Sequence, residues 1–525
     1  MRKRQRTSSQ RILALFLVGS MLAVTGCGFS KEEVEEVQET QTEDEREDAG
    51  LTELFPEVPQ ILFSPVTDDR FAPDSGQWLL HAEYDTVKVT DGGSQKVTEA
   101  VRQWSDKRAE EIQELIEAYI LEAAENEGMT EADDYYRYSI FHELQTARVD
   151  ERVISLIEMS SEYTGGAHGS YGSRGITFDA QSGQILDLSD IVADEEGFQE
   201  YAETDIIETL SGTYAEELFP EYEDVVRRMW DHGGNWCLDA AGITFIFQPY
   251  ELGPYAMGEV FVTLPYAGVE PYLSDSYILG RYHTHMGAGV ARIPSGEELS
   301  LFLSATDSQQ EKFRLYVDEG EYGPVHLELN HFSIETDPFA RIGDAYLVCQ
   351  RDGRVFVVFD ADYASDDFVT FVFELTEGTI EECDRQEGLS LQGGVLNTDR
   401  LRLCMRLDVF GTYRSLMDYS ISQEGRLEAF SEWFEIPETS DPWRLLTTVR
   451  ELPVWIEDEE TVLPAGSHIR ITATDNSSAA RFTDKDTGRN GEIRYVRGNG
   501  EEDSWTIYVD ERADYEYFET IPYTG

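Results

Sequence analysis

The chain has 525 residues, of which 41% are hydrophobic and 12% aromatic, so it is long enough for several domains with substantial cores. Its 41 Lys and Arg residues stand against 104 Asp and Glu residues, which gives a formal net charge of −63 at pH 7. This charge argues against nucleic acid and against anionic lipid surfaces as partners, because both require clusters of basic residues. Basic proteins and divalent cations would be attracted, although an acidic surface also serves solubility alone.

The N-terminal segment has the order of features typical of a bacterial signal peptide. Arginines and one lysine precede an apolar run from Ile12 to Val24, and Thr25-Gly26-Cys27 follows. The run is shorter than the roughly 20 residues that span a bilayer. The cysteine makes the segment resemble a lipoprotein box, so we expect residues 1–27 to be a lipoprotein signal peptide that ends at a lipidated Cys27. An uncleaved N-terminal anchor is the alternative.

The segment after Cys27 is predicted to be a disordered tether. Residues 28–58 include KEEVEEVQETQTEDEREDAG, which is dense in Glu and has no aromatic residue. Such a composition cannot bury enough apolar surface to offset the conformational entropy of the chain, and its like charges extend it. We therefore expect a folded part held off the extracytoplasmic face of the cell membrane, in a Gram-positive bacterium.

The remaining sequence predicts an α+β fold, with N-terminal mixed helix and antiparallel-sheet domains followed by all-β C-terminal domains. Trp78–Val89 alternates like a strand, and from Ser94 to about Ala124 apolar residues recur every three or four positions, as on one face of a helix. Two further strands, Tyr135–Val149 and Val153–Tyr163, read as a hairpin. A helix-rich stretch is expected from about Glu195 to Trp230. The predicted domains are 59–150 (α+β), 151–280 (α+β), 281–440 (β-rich) and 441–525 (a small, SH3-like β-barrel).

A two-unit repeat marks the β-rich part. The segment from Phe368 to Cys383 resembles the segment from Ser415 to Phe430, with Gly378 and Gly425 at the same hairpin position. Two units are too few for a closed propeller, which needs roughly four blades. We expect a β-sandwich or a partial propeller here.

One glycine-rich stretch, YTGGAHGSYGSRG, raises the question of a histidine site. His168 lies in it between two strand-like segments. To act in catalysis it would need a base partner or a nucleophile, and to bind a metal it would need further ligands. Glycines at positive φ in a tight connection explain the stretch more simply. We therefore predict a turn, at Gly165, Gly166, Gly169, Gly172 and Gly175.

Other motifs lead to no catalytic or metal site. His142-Glu143 begins like HExxH, but Thr146 replaces the second histidine and the pattern is that of a strand. His283 and His285 could share a strand face without further ligands. The acidic run from Asp484 to Asn490 imitates a calcium loop but lacks its Gly and its final acid, so a hairpin turn is expected. We expect no cofactor, no metal and no enzyme activity, although glycosidase carboxylates could hide among so many acids.

The four cysteines after Cys27 form no CxxC pair, which gives no support to zinc-ribbon or thioredoxin chemistry. An exported protein can contain disulfides, and a pairing among Cys349, Cys383 and Cys404 is open. Each cysteine also lies in an apolar, strand-like context, where a buried free thiol is common.

The glycine-rich stretch also carries a family resemblance. Tyr163 to Gly169 resembles the hallmark of the extracellular domain of lysozyme-sensing anti-sigma-V factors, which also occurs in a peptidoglycan N-acetylmuramic acid deacetylase. The similarity covers about Trp78 to Tyr266. Further similar segments are Phe178-Asp179, Ser182-Gly183, Leu186-Asp187-Leu188, Asn235-Trp236, Ile243-Thr244-Phe245, Phe247 to Leu252, Pro254-Tyr255-Ala256 and Gly258.

The resemblance implies an α+β extracellular binding domain, which in the anti-sigma factors binds lysozyme. This chain shows neither the cytoplasmic anti-sigma segment nor the deacetylase metal motif, so we expect a non-catalytic binding or sensing lipoprotein with lysozyme or peptidoglycan as ligand. Aromatic residues on loops are natural contact points. An envelope hydrolase and a structural or assembly lipoprotein are the alternatives. The expected ligand contacts are Tyr163, His168, Tyr171, Tyr250 and Tyr255.

Overall fold

The structure is a computed structural model that describes residues 58–125, 138–280, 287–303, 309–318, 322–363, 367–391, 395–437, 444–498 and 506–523. Its first elements are β1 (Gln60–Phe71), β2 (Trp78–Asp91), α1 (Gln95–Glu125), β3 (Tyr138–Asp150), β4 (Val153–Tyr163) and β5 (Ser170–Asp179). The Ser94 hydroxyl begins α1 by accepting a hydrogen bond from the Val97 amide, at 3.1 Å. The helix buries Val97, Val101, Ile112 and Ile116, which confirms the helical face predicted from the apolar spacing.

A part with several short helices and three strands follows. Its elements are α2 (Leu188–Ile191), α3 (Glu195–Thr213), α4 (Tyr222–Arg228), a 3₁₀ turn (Met229–His232), β6 (Trp236–Leu238), β7 (Gly242–Phe247), a 3₁₀ turn (Tyr255–Met257), β8 (Val260–Pro265), α5 (Tyr266–Val269) and a 3₁₀ turn (Asp275–Tyr277). The helix-rich stretch expected up to Trp230 is interrupted between α3 and α4. Pro220 lies in this gap, where its ring disfavours a helical conformation at Phe219 and its nitrogen has no proton to donate.

The rest of the described chain is made of strands. The next nine are β9 (Gly289–Arg292), β10 (Glu298–Leu301), β11 (Glu311–Val317), β12 (Gly323–Leu329), β13 (Phe332–Phe339), β14 (Arg341–Cys349), β15 (Val355–Asp362), β16 (Phe368–Thr376) and β17 (Thr379–Glu387). β10 to β13 form an antiparallel sheet of their own. The fold is therefore a mixture of α and β that is dominated by antiparallel strands, in agreement with the predicted change to an all-β pattern.

Most of the C-terminal strands are short, although two of them have nine and ten residues. They are β18 (Leu389–Ser390), β19 (Val395–Asn397), β20 (Arg400–Asp408), β21 (Thr412–Ile421), β22 (Leu427–Ala429), β23 (Phe434–Glu435), β24 (Leu446–Thr447), β25 (Leu452–Ile456), β26 (Glu459–Leu463), β27 (His468–Thr474), β28 (Ala479–Asp484), β29 (Asn490–Arg494), β30 (Val496–Arg497), β31 (Ile507–Val509) and β32 (Arg512–Ala513). A 3₁₀ turn, Asp514–Glu516, comes after them.

One large sheet connects distant parts of the chain. β3 pairs parallel with β2 and antiparallel with both β4 and β9, and β9 pairs in turn with β14. The sheet then continues through β15, β16 and β17. Its hydrogen bonds thus run across residues 150 and 280, where the sequence predicts domain boundaries.

A buried amide links β1 of this sheet to β19, which belongs to the C-terminal sheet. The side chain of Asn397 accepts a hydrogen bond from the Ile61 amide (2.8 Å) and donates one to the Ile61 carbonyl (3.1 Å). One hydrophobic core includes Val101 of α1, Phe178 of β5 and Leu403 of β20. Segments that the sequence assigns to three domains therefore share one core.

The C-terminal barrel expected from the sequence is not closed in the described residues. β24, β27, β28, β29, β25 and β26 belong to a larger open sheet that also includes β18 to β23. β30, β31 and β32 form a separate small sheet instead of returning to the first strand. A core that includes Phe410, Leu446, Phe482 and Phe518 fills the space between these strands.

The two repeat units are both hairpins, as expected. Gly378 turns β16 into β17 with φ +72°, and Gly425 turns β21 toward β22 with φ +75°. The two hairpins also touch, because the Asp384 carboxylate accepts a hydrogen bond from the Leu427 amide at 2.8 Å. The acidic run at Asp484 is likewise a hairpin turn between β28 and β29.

The described cysteines are all free thiols. Cys237, Cys349 and Cys404 are buried and Cys383 is half-buried. Burial raises the pKa of the Cys349 thiol to about 12, which keeps it protonated and unreactive.

Among the described residues, no helix has the length and apolar character needed to cross a membrane.

Candidate functional site

The tip of the β4–β5 hairpin is a short turn, and it is shorter than the sequence predicts. Gly165 and Gly166 have φ +93° and +97°, which only glycine adopts readily. The hairpin returns to strand at Ser170, so Tyr171 lies on β5 and not in a loop. The hydroxyl of Tyr163, at the end of β4, donates to the Gly166 carbonyl at 3.2 Å.

The prediction of positive φ is wrong for three of the five glycines. These three are constrained by close packing instead: a Cβ at Gly169 would overlap the Glu162 carbonyl oxygen of the same hairpin, whereas Gly172 and Gly175 face more distant parts of the chain. A Cβ at Gly175 would overlap the carbonyl oxygen of Trp236, and a Cβ at Gly172 would overlap the Gln248 side chain. These glycines allow β5 to pack closely on β6 and on the loop after β7.

Two amide side chains fix this close packing. Asn235 accepts a hydrogen bond from the Gly175 amide (3.0 Å) and donates one to the Ser173 carbonyl (2.8 Å). Gln248 donates to the same Ser173 carbonyl at 2.7 Å. No positioning role was predicted for Asn235 and Gln248, although both fall within the segments of the family resemblance. Their role could not be read from sequence because their partners lie on a distant strand.

Four aromatic side chains meet where the hairpin and the β7–β8 loop come together. We call His168, Tyr171, Tyr250 and Tyr255 the aromatic cluster. The ring of His168 stacks on Tyr255 with a centroid distance of 4.2 Å and an angle of 25°. Tyr171 meets Tyr255 edge-on at 5.4 Å, and Tyr250 lies tilted against it at 5.5 Å. Tyr255 is thus the centre of the cluster.

Hydrogen bonds hold the cluster in place. The Tyr255 hydroxyl donates to the Gly169 carbonyl at 3.0 Å, and Nδ1 of His168 lies 2.8 Å from the same oxygen. That oxygen can only accept, so His168 carries a proton on Nδ1. Desolvation, followed by the neighbouring Tyr171 and Tyr250, raises the pKa of Tyr255. The Tyr255 hydroxyl therefore stays protonated and keeps its donor role.

The cluster remains accessible to solvent. Tyr250 is 58% exposed and Tyr171 is 37% exposed, while His168 is also exposed and Tyr255 is half-buried. Tyr250 has φ +72°, a left-handed conformation that is strained for a bulky residue. Strain of this kind is often retained at functional sites.

A partly buried carboxylate lies beneath the hairpin. Glu259 accepts a hydrogen bond from the Ser173 hydroxyl at 3.1 Å, and burial raises its pKa. Its other oxygen is buried without a hydrogen-bond partner among the described residues. Glu259 therefore helps to hold β5 through its hydrogen bond with Ser173 and is not part of the exposed cluster.

The structure brings four of the five predicted contact residues together. Tyr163 is 37% exposed and bonds to the turn, but no ring contact among the described residues joins it to the cluster. Cys27 and the pair His283 and His285 lie outside the described residues. Within the described residues, no group of three or more His, Cys, Asp or Glu is placed to hold a metal ion. The cluster offers ring faces for stacking and hydroxyls for hydrogen bonding.

Comparison with known proteins identifies one domain. Residues 189–267 match a family described as a protein of unknown function, DUF3298. The match includes Tyr250 and Tyr255 and begins after the β4–β5 hairpin, which ends at Asp179. No curated protein matches the chain.

Two solved structures resemble part of the chain. A DUF3298 family member from Bacteroides fragilis NCTC 9343 is 19% identical, with a TM-score of 0.32 over 42% of this chain and 95% of its own. A DUF3298 family protein from Pseudomonas aeruginosa PAO1 is 17% identical, with a TM-score of 0.29 over 42% of this chain and 96% of its own. The chain contains a DUF3298 domain, whose function is unknown, at residues 189–267.

Proposed function

We propose that this protein is a lipid-anchored, non-catalytic binding or sensing module on the outer face of the cell membrane. The N-terminal sequence supports the anchor, because a basic segment and a short apolar run precede Cys27. The acidic segment after Cys27 supports a tether. In this proposal the ligand contacts the aromatic cluster.

The exposure of the aromatic cluster is the observation that carries this proposal. Exposed aromatic rings lose little conformational entropy when they are buried in an interface, and they contribute large contact areas. Here the Tyr250 ring is 58% exposed, while Tyr255 and His168 hold each other in a stack. The cluster is therefore organised before a ligand arrives, which reduces the entropic cost of binding.

Lysozyme is the leading ligand. The stretch around His168 resembles the extracellular domain of lysozyme-sensing anti-sigma-V factors, and lysozyme is strongly basic. A chain with a net charge of −63 would attract it from solution. Peptidoglycan is the second ligand, since sugar rings stack on exposed tyrosines and the same kind of domain occurs in a peptidoglycan deacetylase.

The test is to measure lysozyme binding to the purified protein by calorimetry across a salt series, with a second basic protein of similar size as control. At roughly 0.3 M salt, attraction between exposed charges is strongly screened. We expect lysozyme, and not the control protein, to remain bound. Binding that disappears with salt, or that the control protein matches, would reduce the interaction to nonspecific charge attraction.

Variants then locate the site. Tyr250→Ala removes the most exposed ring of the cluster, and Tyr322→Ala removes a similarly exposed ring (51%) in another part of the chain. We expect Tyr250→Ala to weaken binding about tenfold, as for an interface anchor, and Tyr322→Ala to leave it unchanged. An equal effect of the two variants would argue against the cluster.

The alternatives predict different observations. An envelope hydrolase would release soluble fragments from purified peptidoglycan, and that release would overturn the non-catalytic proposal. A structural or assembly lipoprotein would copurify with one membrane partner through its β-rich part, and Tyr250→Ala would not disturb that complex. An SH3-like character of residues 441–525 would suit either role.

A further inference from the structure

A concave surface, separate from the aromatic cluster, lies in the C-terminal part of the chain. We call it the C-terminal groove, a cavity of about 810 Å³ between the end of the large C-terminal sheet and the small sheet β30–β32. Its floor is the outer face of β25, β26 and β29. The strand register places Trp455 opposite Glu460, and Pro453 opposite Val462, so these four side chains share one face.

The floor of the groove is largely apolar. Val462 on the floor is 52% exposed, and Val496 beside it is 63% exposed. The guanidinium carbon of Arg494 lies 4.2 Å from the centroid of the Trp455 ring, which fixes the indole in the floor. Exposed valines beside a fixed aromatic ring form a strip that a partner side chain can cover.

The edge of the groove is acidic. Asp510 and Glu511 are the carboxylates of the edge, Glu460 is a carboxylate on the floor, and Arg494 is the one cation among the lining residues. Nε of Arg494 is already paired with Glu492 at 3.0 Å. The carboxylates therefore determine the charge that the groove presents to a ligand.

The acidic edge is held in a left-handed two-residue turn, a conformation that Glu457 and Asp458 also adopt between β25 and β26. Asp510 and Glu511 connect β31 to β32 with φ +47° and +66°. A two-residue hairpin turn of this conformation usually contains Asn and Gly, because other side chains are strained there. This chain instead places two carboxylates at the turn, on the edge of an apolar groove.

We propose that the C-terminal groove binds an extended peptide segment in which apolar and cationic side chains alternate. The apolar side chains cover Trp455 and Val462 on the floor, and the cationic ones meet the Asp510–Glu511 turn on the edge. Alternation fits because successive side chains of an extended peptide point to opposite sides. This inference is independent of the proposed function, since it uses none of the residues of the aromatic cluster.

The test is fluorescence anisotropy with a labelled hexapeptide of alternating lysine and valine, added to the purified full-length protein at roughly 0.15 M salt. Two matched peptides, with glutamate or serine in place of lysine, control for charge and for apolar character. The double variant Asp510→Asn/Glu511→Gln removes the edge charge, and the exposed pair Glu424→Gln/Glu428→Gln removes the same charge from another hairpin. Val462→Ser tests the floor without changing charge.

Of the three peptides, we expect only the one with lysine to bind the wild-type protein. The Asp510→Asn/Glu511→Gln variant should bind this peptide about tenfold more weakly, and Val462→Ser should also weaken binding. The Glu424→Gln/Glu428→Gln variant and Tyr250→Ala should bind like the wild type. Equal weakening by the two charge variants would overturn the proposal in favour of nonspecific attraction. Failure of the lysine peptide to bind would also overturn it, as would concentration-dependent dimerisation that Val462→Ser abolishes, because a second copy would then occupy the groove.

Discussion

The imidazole of His168 lies on the ring of Tyr255, with centroids 4.2 Å apart and planes inclined by 25°. The Tyr255 hydroxyl donates to the carbonyl of Gly169, the residue that follows His168. These contacts join the tip of the β4–β5 hairpin to the β7–β8 loop. A ligand that contacts one of these loops therefore meets a surface built from both. Only the β7–β8 loop lies within the residues that match DUF3298.

Tyr250→Gly should separate stability from binding. Glycine relieves the left-handed backbone at φ +72° but increases the entropy of the unfolded chain, and each effect is about 1 kcal/mol. We expect the free energy of unfolding, measured with denaturant, to change by less than about 1 kcal/mol. Lysozyme affinity should nevertheless fall about tenfold, because the exposed ring is lost. Wild-type affinity in this variant would exclude Tyr250 as a contact.

Gly175→Ala should destabilise the hairpin. Its Cβ would overlap the carbonyl oxygen of Trp236, and backbone cannot move aside as a flexible side chain can. We expect a loss of about 1–3 kcal/mol in the free energy of unfolding, the usual cost of overpacking. Gly212→Ala is the matched control, because nothing lies within 4 Å of its Cβ and it is in α3. That control should be neutral or stabilising by about 0.5 kcal/mol.

Arg148→Met should be strongly destabilising. Arg148 is 1% exposed, and its guanidinium bonds to the Asp150 carboxylate (2.6 Å), the Tyr266 hydroxyl (2.8 Å) and the Tyr277 carbonyl (2.6 Å). Its removal leaves the Asp150 carboxylate buried without its counter-charge, which costs about 3–5 kcal/mol. Denaturant unfolding measures this loss. The exposed Arg102, paired with Glu99 and Asp106, gives the control, since Arg102→Met should leave stability nearly unchanged.

Asp360 should make stability fall as pH rises. Burial, followed by the neighbouring Asp344, raises the pKa of Asp360 to about 7, although amides of Asp344 and Leu391 donate to its carboxylate. Because the folded pKa is raised, the folded state holds the proton that the unfolded state has already lost between about pH 4 and pH 7. Stability from this group is therefore full below about pH 4 and declines until about pH 7.

The variant Asp360→Asn should remove this component. Over the same pH interval we expect it to lose less stability than the wild type, by up to about 4 kcal/mol. Urea unfolding at several pH values gives the difference. Glu424→Gln, at an exposed carboxylate, should follow the wild-type curve. Parallel curves for wild type and Asp360→Asn would show that Asp360 is ionised in the folded protein at neutral pH.

Local patterns allowed several elements to be predicted from sequence. The spacing of Val101, Ile112 and Ile116 indicated α1, because a helix brings residues three and four apart onto one face. β4 was predicted with its observed bounds, Val153–Tyr163, because its neighbour β3 lies one turn away in sequence. Four residues of the candidate site could also be predicted from local sequence, because aromatic residues within glycine- and proline-rich segments indicate exposed turns.

Long-range pairing could not be predicted. β9 has only four residues, Gly289–Arg292, yet it joins β3 to β14 and makes one sheet of segments that look separate. The role of Gly175 was misjudged for a similar reason. Its sequence context indicates a tight turn with positive φ, whereas its actual constraint is the backbone of Trp236, which lies far away in the chain.

The most direct test is hydrogen–deuterium exchange with and without lysozyme at roughly 0.3 M salt, where charge attraction is screened. If lysozyme binds the aromatic cluster, we expect slower amide exchange in both segments of the cluster, 163–172 and 248–258. We expect no change in β11 and β12 (Glu311–Val317 and Gly323–Leu329). Absence of a complex, or a complex that protects neither segment, would contradict the proposal that the aromatic cluster is the binding surface.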